Sequence, residues 1–272
     1  MKTRVITAAV LIPVLLLLLM VAPTIVTAIV WGLLLAIAAY ELLYCTGLVQ
    51  EPRLVVHAAV MAFAVSIWSH YEAVHAFGQL GLMIFLGILF AEMMLSHVKI
   101  TFDKLCLCVV GGFVIPFLLS SLIRILVMNR VGRYMVLIPF VVAFCSDAGA
   151  YFAGHFFGRH KLAPVISQHK TIEGAVGGII CAIVGMMLYC IILQFAFGFE
   201  VKHGYAVIYG LLGSMTGVFG DLCFSVVKRQ TGIKDYGRLI PGHGGVLDRL
   251  DSMMVVGPLA EALILLLPLA VK

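Results

Sequence analysis

The chain has 272 residues, 63% of them hydrophobic and only 11% charged, with a net charge of +5 and a mean hydropathy of +1.14. A soluble globular domain carries about 25% charged residues, so a chain built for water is excluded and no nucleic-acid partner is expected. Its 7 cysteines, an odd number set mostly in apolar runs, exclude a disulfide framework and read as reduced thiols buried as small hydrophobes.

Apolar runs long enough to cross a bilayer core, roughly 20 residues each, recur from end to end. They lie near 5–21, 24–44, 54–68, 74–95, 105–128, 134–151, 174–196, 204–227 and 253–271. The predicted fold is an all-α, polytopic integral membrane protein with about nine transmembrane helices. Lys2 and Arg4 precede the first run, but that run is longer than a signal-peptide core and a second follows at once, so it is expected to stay as the first membrane helix. With nine crossings and the N-terminus inside, thirteen of the 18 Lys and Arg residues fall on one side, leaving Arg124, Arg130, Arg133, Lys202 and Lys272 on the other. The positive-inside rule places the richer side in the cytosol.

Two regions follow from the distribution of polar residues. Residues 1–130 read as a helical scaffold with possible dimer and lipid contacts. Residues 131–272 read as the catalytic region, with cytoplasmic loops 152–173 and 228–252. In the first region Glu41, Glu72, Glu92, His57, His70, His75 and His97 are scattered singly. They read as helix-end and interface groups whose charge reaches water by snorkelling. Glu92, late in an apolar helix, is the one expected to matter. Cys106 and Cys108 lack the spacing and partner cluster of a zinc site.

The second region carries the chemistry. In "SDAGAYFAGHFFGRHKLAP" (146–164), Asp147 closes an apolar helix, and glycines then alternate with Tyr151, Phe152, Phe156 and Phe157. In "SQHKTIEGAVGG" (167–178), Thr171 can cap the helix starting near Glu173, and Lys170 with Thr171 could form an anion site at that helix N-terminus. "GLLGSMTGVFGD" puts Gly210, Gly213, Gly217 and Gly220 on one face of a helix ending at Asp221. Small residues at that period let helices approach closely in lipid. A carboxylate at membrane depth costs roughly 2.5–3.5 kcal/mol unless paired or metal-bound, so Asp221 needs a partner.

The richest stretch is "KDYGRLIPGHGGVLDRLDS" (234–252), which gathers Lys234, Asp235, Arg238, His243, Asp248, Arg249 and Asp251. Asp248 and Asp251 are three apart, on one face if the last helix has begun. Close carboxylates repel unless a cation lies between them. Mg²⁺ suits such oxygen ligands, binding through one or two carboxylates plus substrate phosphates. Cations in the block neutralise phosphates, and the "IPGHGG" turn lets backbone N–H groups approach an oxyanion. Phosphoryl or nucleotidyl transfer is the chemistry these residues suit. A solvated juxtamembrane loop explains Lys228 and Arg229, but not Asp221, Asp248 and Asp251.

The run "SVVKRQTGIKDYGRLIPGHGGVLDRLD", Ser225 to Asp251, resembles the signature of the phosphatidate cytidylyltransferases, the CDP-diacylglycerol synthases. The resemblance extends upstream to "DAGAYFAGHFFGRHKLAP" and "KTIEG" and covers about the last 130 residues; the first half resembles the family only in hydropathy. It implies transfer of CMP from CTP to phosphatidic acid in a multi-helix, homodimeric membrane protein, and by extension a bacterial inner membrane with the active site facing the cytosol. Asp221 and Asp248 match the family's Mg²⁺ ligands, which a second cation such as K⁺ assists. Lys228, Arg229, Lys234, His243 and Arg249 match signature positions that meet the CTP phosphates and the lipid phosphate. His243 is read as a phosphate contact or turn support, with proton transfer as the other role. The same blocks supply the substrate-binding candidates Asp147, Tyr151, Lys170, Thr171, Ser225, Asp235, Gly244, Gly245 and Asp251. Two departures stand out: Phe224 replaces the usual Glu before Ser225, and Gln168 replaces the usual Pro after Ser167. The rival readings are a related CTP-dependent transferase acting on another lipid phosphate, and a transporter. A transporter is expected to carry inverted repeats with broken helices in both halves, whereas the polar machinery here lies in one.

Overall fold

The computed structural model describes residues 2–71, 75–96, 98–128, 131–242 and 244–271. The apolar runs form helices because a lipid-embedded backbone must satisfy its hydrogen bonds internally. The chain divides into two compact units, residues 1–127 with 230–250, and residues 128–229 with 251–272. Residues 230–250, grouped with the second half by the sequence division at residue 130, therefore pack with the N-terminal helices.

The first unit contains α1 (Lys2–Met20), α2 (Thr24–Tyr40), α3 (Pro52–His70), α4 (His75–Leu95), α5 (Phe102–Val109), α6 (Ile115–Leu119) and α7 (Ser121–Val127). Helix α2 ends in a π-helical turn, Glu41–Cys45, and a second π-turn, Val110–Val114, joins α5 to α6. The core of this unit is built from Leu43, Val49, Leu54, Val55, Ala58, Phe85, Leu89, Ile100, Leu105 and Cys108. Gly112 in the second π-turn packs against Ala58, whose Cα would lie 2.8 Å from an added Cβ. Trp31 Nε1 donates to Leu119 O across 3.2 Å, tying α2 to α6.

The second unit contains α8 (Gly132–Met135), α9 (Ile138–Phe157), a hairpin of β1 (Lys161–Ala163) and β2 (Ser167–Thr171), α10 (Ile172–Phe197), and α11 (His203–Gln230, its last residue lying in the first unit). The first unit's α12 (Leu247–Leu250) is followed by α13 (Met253–Leu266) back in the second. Strands β3 (Glu200–Val201) and β4 (Ala270–Val271) pair antiparallel. Helices α9 and α10 meet along small residues: an added Cβ on Gly149 would lie 2.5 Å from Cys181 Cβ, and one on Gly177 would lie 2.2 Å from Ala153 Cβ. Ser146 and Ser214 share a buried 2.7 Å hydrogen bond that joins α9 to α11.

Among the described residues seven helical runs are long and apolar enough to cross a membrane, from Thr24–Cys45 through His203–Gln230. The last of the nine expected runs forms only the 14-residue α13. Leu17, Met83, Phe195 and Leu265 lie exposed on helix surfaces, an apolar exterior suited to lipid tails.

Four local expectations change. Asp147 does not close its helix: α9 runs on to Phe157, leaving Tyr151, Phe152, Phe156 and Phe157 exposed. The glycines of that stretch are tolerated because α10 packs against them. Asp221 likewise lies inside α11 rather than at its end. The 152–173 loop is largely helix and hairpin. All seven cysteines are free, but Cys45, Cys106 and Cys181 are exposed rather than buried; a thiol is apolar enough to face lipid.

The glycine face of α11 does what its spacing predicts. An added Cβ on Gly210 would lie 2.6 Å from Ile183 Cα of α10, and one on Gly220 would lie 2.9 Å from Asp251 O. Gly210→Ala is expected to force α10 and α11 apart and destabilise the protein by about 1–3 kcal/mol. Gly204→Ala, with nothing within 4 Å of its added Cβ, is the matched control. Thermal melts in detergent of the two variants should separate; coincident melting temperatures would remove the close approach.

Candidate active site

The predicted residues gather in two clusters, one in each unit. The first is the loop from Gln230 to Val246 and the short helix α12. Tyr236, 1% exposed, anchors the loop among the helices, and Thr7 Oγ1 donates to Pro241 O at 3.2 Å. Ile240 N–H donates to Gly244 O at 2.9 Å, closing a tight reversal. Gly242 and Gly244 have φ of 76° and 85°, the left-handed region where a Cβ is costly.

Asp248 is 5% exposed. Its Oδ2 accepts the backbone N–H of Tyr236 and of Gly245, both at 2.9 Å. A second buried carboxylate sits beside it. Glu41, in the π-turn after α2 and 3% exposed, accepts Val246 N–H at 3.1 Å and Leu247 N–H at 2.9 Å. The glycine-rich turn does bring backbone N–H groups onto oxyanions, as its sequence predicts. For Gly245, Val246 and Leu247 those oxyanions are the protein's own carboxylates. Burying an unpaired carboxylate is very costly, whereas a hydrogen bond to a charged group contributes about 1.5–3 kcal/mol, so each carboxylate and its N–H donors stabilise one another.

In front of this scaffold lies a cavity of about 590 Å³ lined by Lys234, Asp235, Gly237, Arg238, Ile240, Pro241, Gly242, Gly244 and Arg249. Three cations face one carboxylate there, a balance that suits a polyphosphate anion. His243 lies outside the described residues.

The second cluster is in the other unit. Lys170, on β2, forms an ion pair with Asp221 Oδ2. Ser225, one turn further along α11, places Oγ 3.4 Å from Asp221 Oδ1. This is the partner Asp221 requires, supplied by a lysine. Thr171 caps α10 as expected, its Oγ1 accepting Gly174 N–H at 3.1 Å. Arg229 Nε donates to Ile166 O at 3.2 Å, fixing the end of α11 to the hairpin. Lys228 sits beside it in the last turn of α11. Asp147 and Tyr151 are exposed on α9, one turn apart. Asp251 lies in a turn, where its Oδ1 accepts Ser252 N–H at 2.8 Å. Helix α12 ends at Leu250, so Asp248 and Asp251 do not share a continuous helical face. Phe224, at the position where resemblance suggested a Glu, is buried at 4% exposure.

Residues 2–267 match the family model described as the cytidylyltransferase family. The chain belongs to the cytidylyltransferase family. Proteins named phosphatidate cytidylyltransferase from Staphylococcus saprophyticus, Staphylococcus haemolyticus and Staphylococcus aureus are 43%, 42% and 41% identical to it over 134 residues. That region is 49% of this chain and 50% of each relative, so the chain spans about half the length of the curated relatives it matches.

No group of three or more His, Cys, Asp or Glu side chains that could hold a metal occurs among the described residues. Mg²⁺ does not need one, since it is held by one or two carboxylates with substrate phosphates and water completing its shell. Asp221 and Asp248 are each a hard oxygen donor of that kind.

Arg238, expected among the phosphate-neutralising cations of its block, lines the cavity. Two residues, Glu173 and Glu41, are not among the site residues expected from the sequence. Glu173 is expected from the sequence only to begin a helix. Its carboxylate accepts Arg159 N–H at 3.1 Å and His160 N–H at 3.2 Å and lies 2.6 Å from His160 Nδ1, shaping the turn before the hairpin. The sequence suggests a helix-end group for Glu41 and favours Glu92 as the functional carboxylate. Glu92 is partly exposed, 3.6 Å from His57, and Glu41 is the buried one. A carboxylate in an apolar run with no cation within four residues was the available signal; its donors, about two hundred residues away in sequence, were invisible.

Proposed function

We propose that this cytidylyltransferase transfers CMP from CTP to phosphatidic acid, giving CDP-diacylglycerol and pyrophosphate for phospholipid synthesis. The observation that carries this reading is the cavity lined by Lys234, Arg238 and Arg249 around the glycine turn, in a chain whose relatives bear the name phosphatidate cytidylyltransferase. The cations hold the triphosphate and take up charge that builds on the departing pyrophosphate. The nucleophile is an oxygen of the phosphatidate phosphomonoester, whose second pKa lies near 6, so it is already ionised at pH 7 and needs no strong base. Asp221 and Asp248 are accordingly metal ligands rather than proton acceptors. Bound Mg²⁺ would supply Lewis-acid polarisation of the phosphates, with a second cation such as K⁺ beside it. Lys170 and Ser225 orient Asp221; the Tyr236 and Gly245 amides orient Asp248. Lys228 and Arg229, at the end of a membrane helix, suit the lipid phosphate. His243 is assigned to phosphate contact or turn support.

The protein is proposed to act as a homodimer in a bacterial inner membrane with this site facing the cytosol, where CTP is found. The excess of Lys and Arg on one side of the predicted topology supports that orientation.

The test is radiolabelled CTP with phosphatidic acid in detergent micelles containing the purified full chain. A lipid-soluble cytidine product is expected, lost on EDTA treatment and regained on adding Mg²⁺. No product with phosphatidic acid, or equal product after EDTA, would overturn the reading.

A further inference from the structure

We propose that Glu41 is a positioning residue for the reaction, holding the backbone of Gly245 to Leu247 so that Asp248 and Arg249 are presented correctly. This inference rests on the proposed function for its effect on turnover, but not for its structural part.

The geometry is specific to a carboxylate. Its two oxygens take two consecutive N–H groups, Oε1 from Val246 at 3.1 Å and Oε2 from Leu247 at 2.9 Å. A glutamine can place only one acceptor there and turns its NH₂ towards the other donor. The carboxylate is also enclosed by the two ends of the loop. An added Cβ on Gly237 would lie 2.1 Å from Glu41 Oε1, and one on Gly245 would lie 2.4 Å from Glu41 Oε2. Two glycines of the signature thus make room for one acidic side chain from the second helix.

That helix changes to π-helical winding at Glu41, a local irregularity common at functional positions. Glu41 is not among the residues lining the cavity, so it acts through the loop rather than on substrate. The donors it holds immediately precede Asp248. Gly245 N–H is bound by Asp248 itself, so three successive amides, of residues 245, 246 and 247, are fixed by two carboxylates. Loss of either carboxylate releases the same short segment.

The experiment uses the full chain in detergent, as Glu41→Gln and Glu41→Ala variants, with two readouts. The first is hydrogen–deuterium exchange of peptides covering 244–248. Both variants should exchange there about tenfold faster, while the α3 helix is unchanged. The second is CMP transfer, where kcat should fall by about 10²-fold in Glu41→Ala, as expected for misplaced reacting groups. KM for CTP should move less, and Glu41→Gln should lie between. Exchange unchanged in both variants overturns the inference, even if the native chain is active. Faster exchange with kcat and KM unchanged also overturns it, reducing Glu41 to a structural group. A native chain without CMP transfer, together with faster exchange in the variants, refutes the proposed function and the turnover effect while the loop attachment stands.

Discussion

Asp248→Asn is expected to leave the loop folded and to lower CMP transfer by about 10²–10³-fold, the scale seen on removing one preorganised electrostatic group. The asparagine oxygen can still accept the Tyr236 and Gly245 amides that Asp248 Oδ2 accepts at 2.9 Å. What disappears is the negative charge that the proposed divalent ion would need. Asp248→Ala differs in kind. It strands two amides beside a residue that is 5% exposed, each costing about 1–3 kcal/mol when left unsatisfied, so loop order should fall as well. Measuring both variants by labelled CTP turnover and by amide exchange over residues 234–250 separates charge from architecture. If Asp248→Asn turns over at more than half the native rate, Asp248 is a loop strut and not a metal ligand.

Gly245→Ala should be nearly as damaging, and for a steric reason. Its Cβ would lie 2.4 Å from Glu41 Oε2 and 2.5 Å from Oε1. The carboxylate cannot turn aside without giving up the Val246 and Leu247 amides, so the loop must move. Overpacking of this sort costs about 1–3 kcal/mol, and a shift of about 1 Å at a catalytic loop lowers rate by about 10²-fold. Gly232→Ala provides the contrast. Gly232 has φ of 71° with nothing within 4 Å of an added Cβ, so it carries only the left-handed strain of about 1–2 kcal/mol and should stay active. The collision also predicts strong non-additivity. In a Glu41→Ala background, Gly245→Ala should cost little further activity; full additivity of the two losses would show that they act on separate features.

The glycines of "IPGHGG" thus serve two different needs that look identical in sequence. Gly242 and Gly244 are required by backbone conformation, with φ of 76° and 85°. Gly245, like Gly237 just upstream of that turn, is required by the bulk of Glu41. A glycine-rich turn beside carboxylates was legible as an oxyanion-binding element, but the source of the oxyanions was not. Residue spacing reports local conformation, whereas a carboxylate arriving from another helix leaves no trace in the turn's own sequence. Thr171 shows the opposite case. Its capping of α10 is a contact over three residues, and it was read correctly from the chain alone.

Asp221 stands between these cases. The cost of a charge in an apolar helix required a partner without naming one. The hairpin of β1 and β2 provides it by carrying Lys170 to Asp221. Residues 152–173 look like a loop in sequence because strands of 3 and 5 residues are too short for a periodic signal.

What the amino-acid order settled by itself was the all-α membrane class and the family of the last 130 residues. Both rest on information carried locally: lipid demands long apolar helices, and the signature is contiguous. What only the tertiary structure decided was which acidic groups are buried and by what they are held. It was the fold that placed residues 230–250 with the N-terminal helices and brought Glu41 onto the amides of Val246 and Leu247. A buried charge is tolerated only where distant donors converge on it, and convergence is a property of the folded chain.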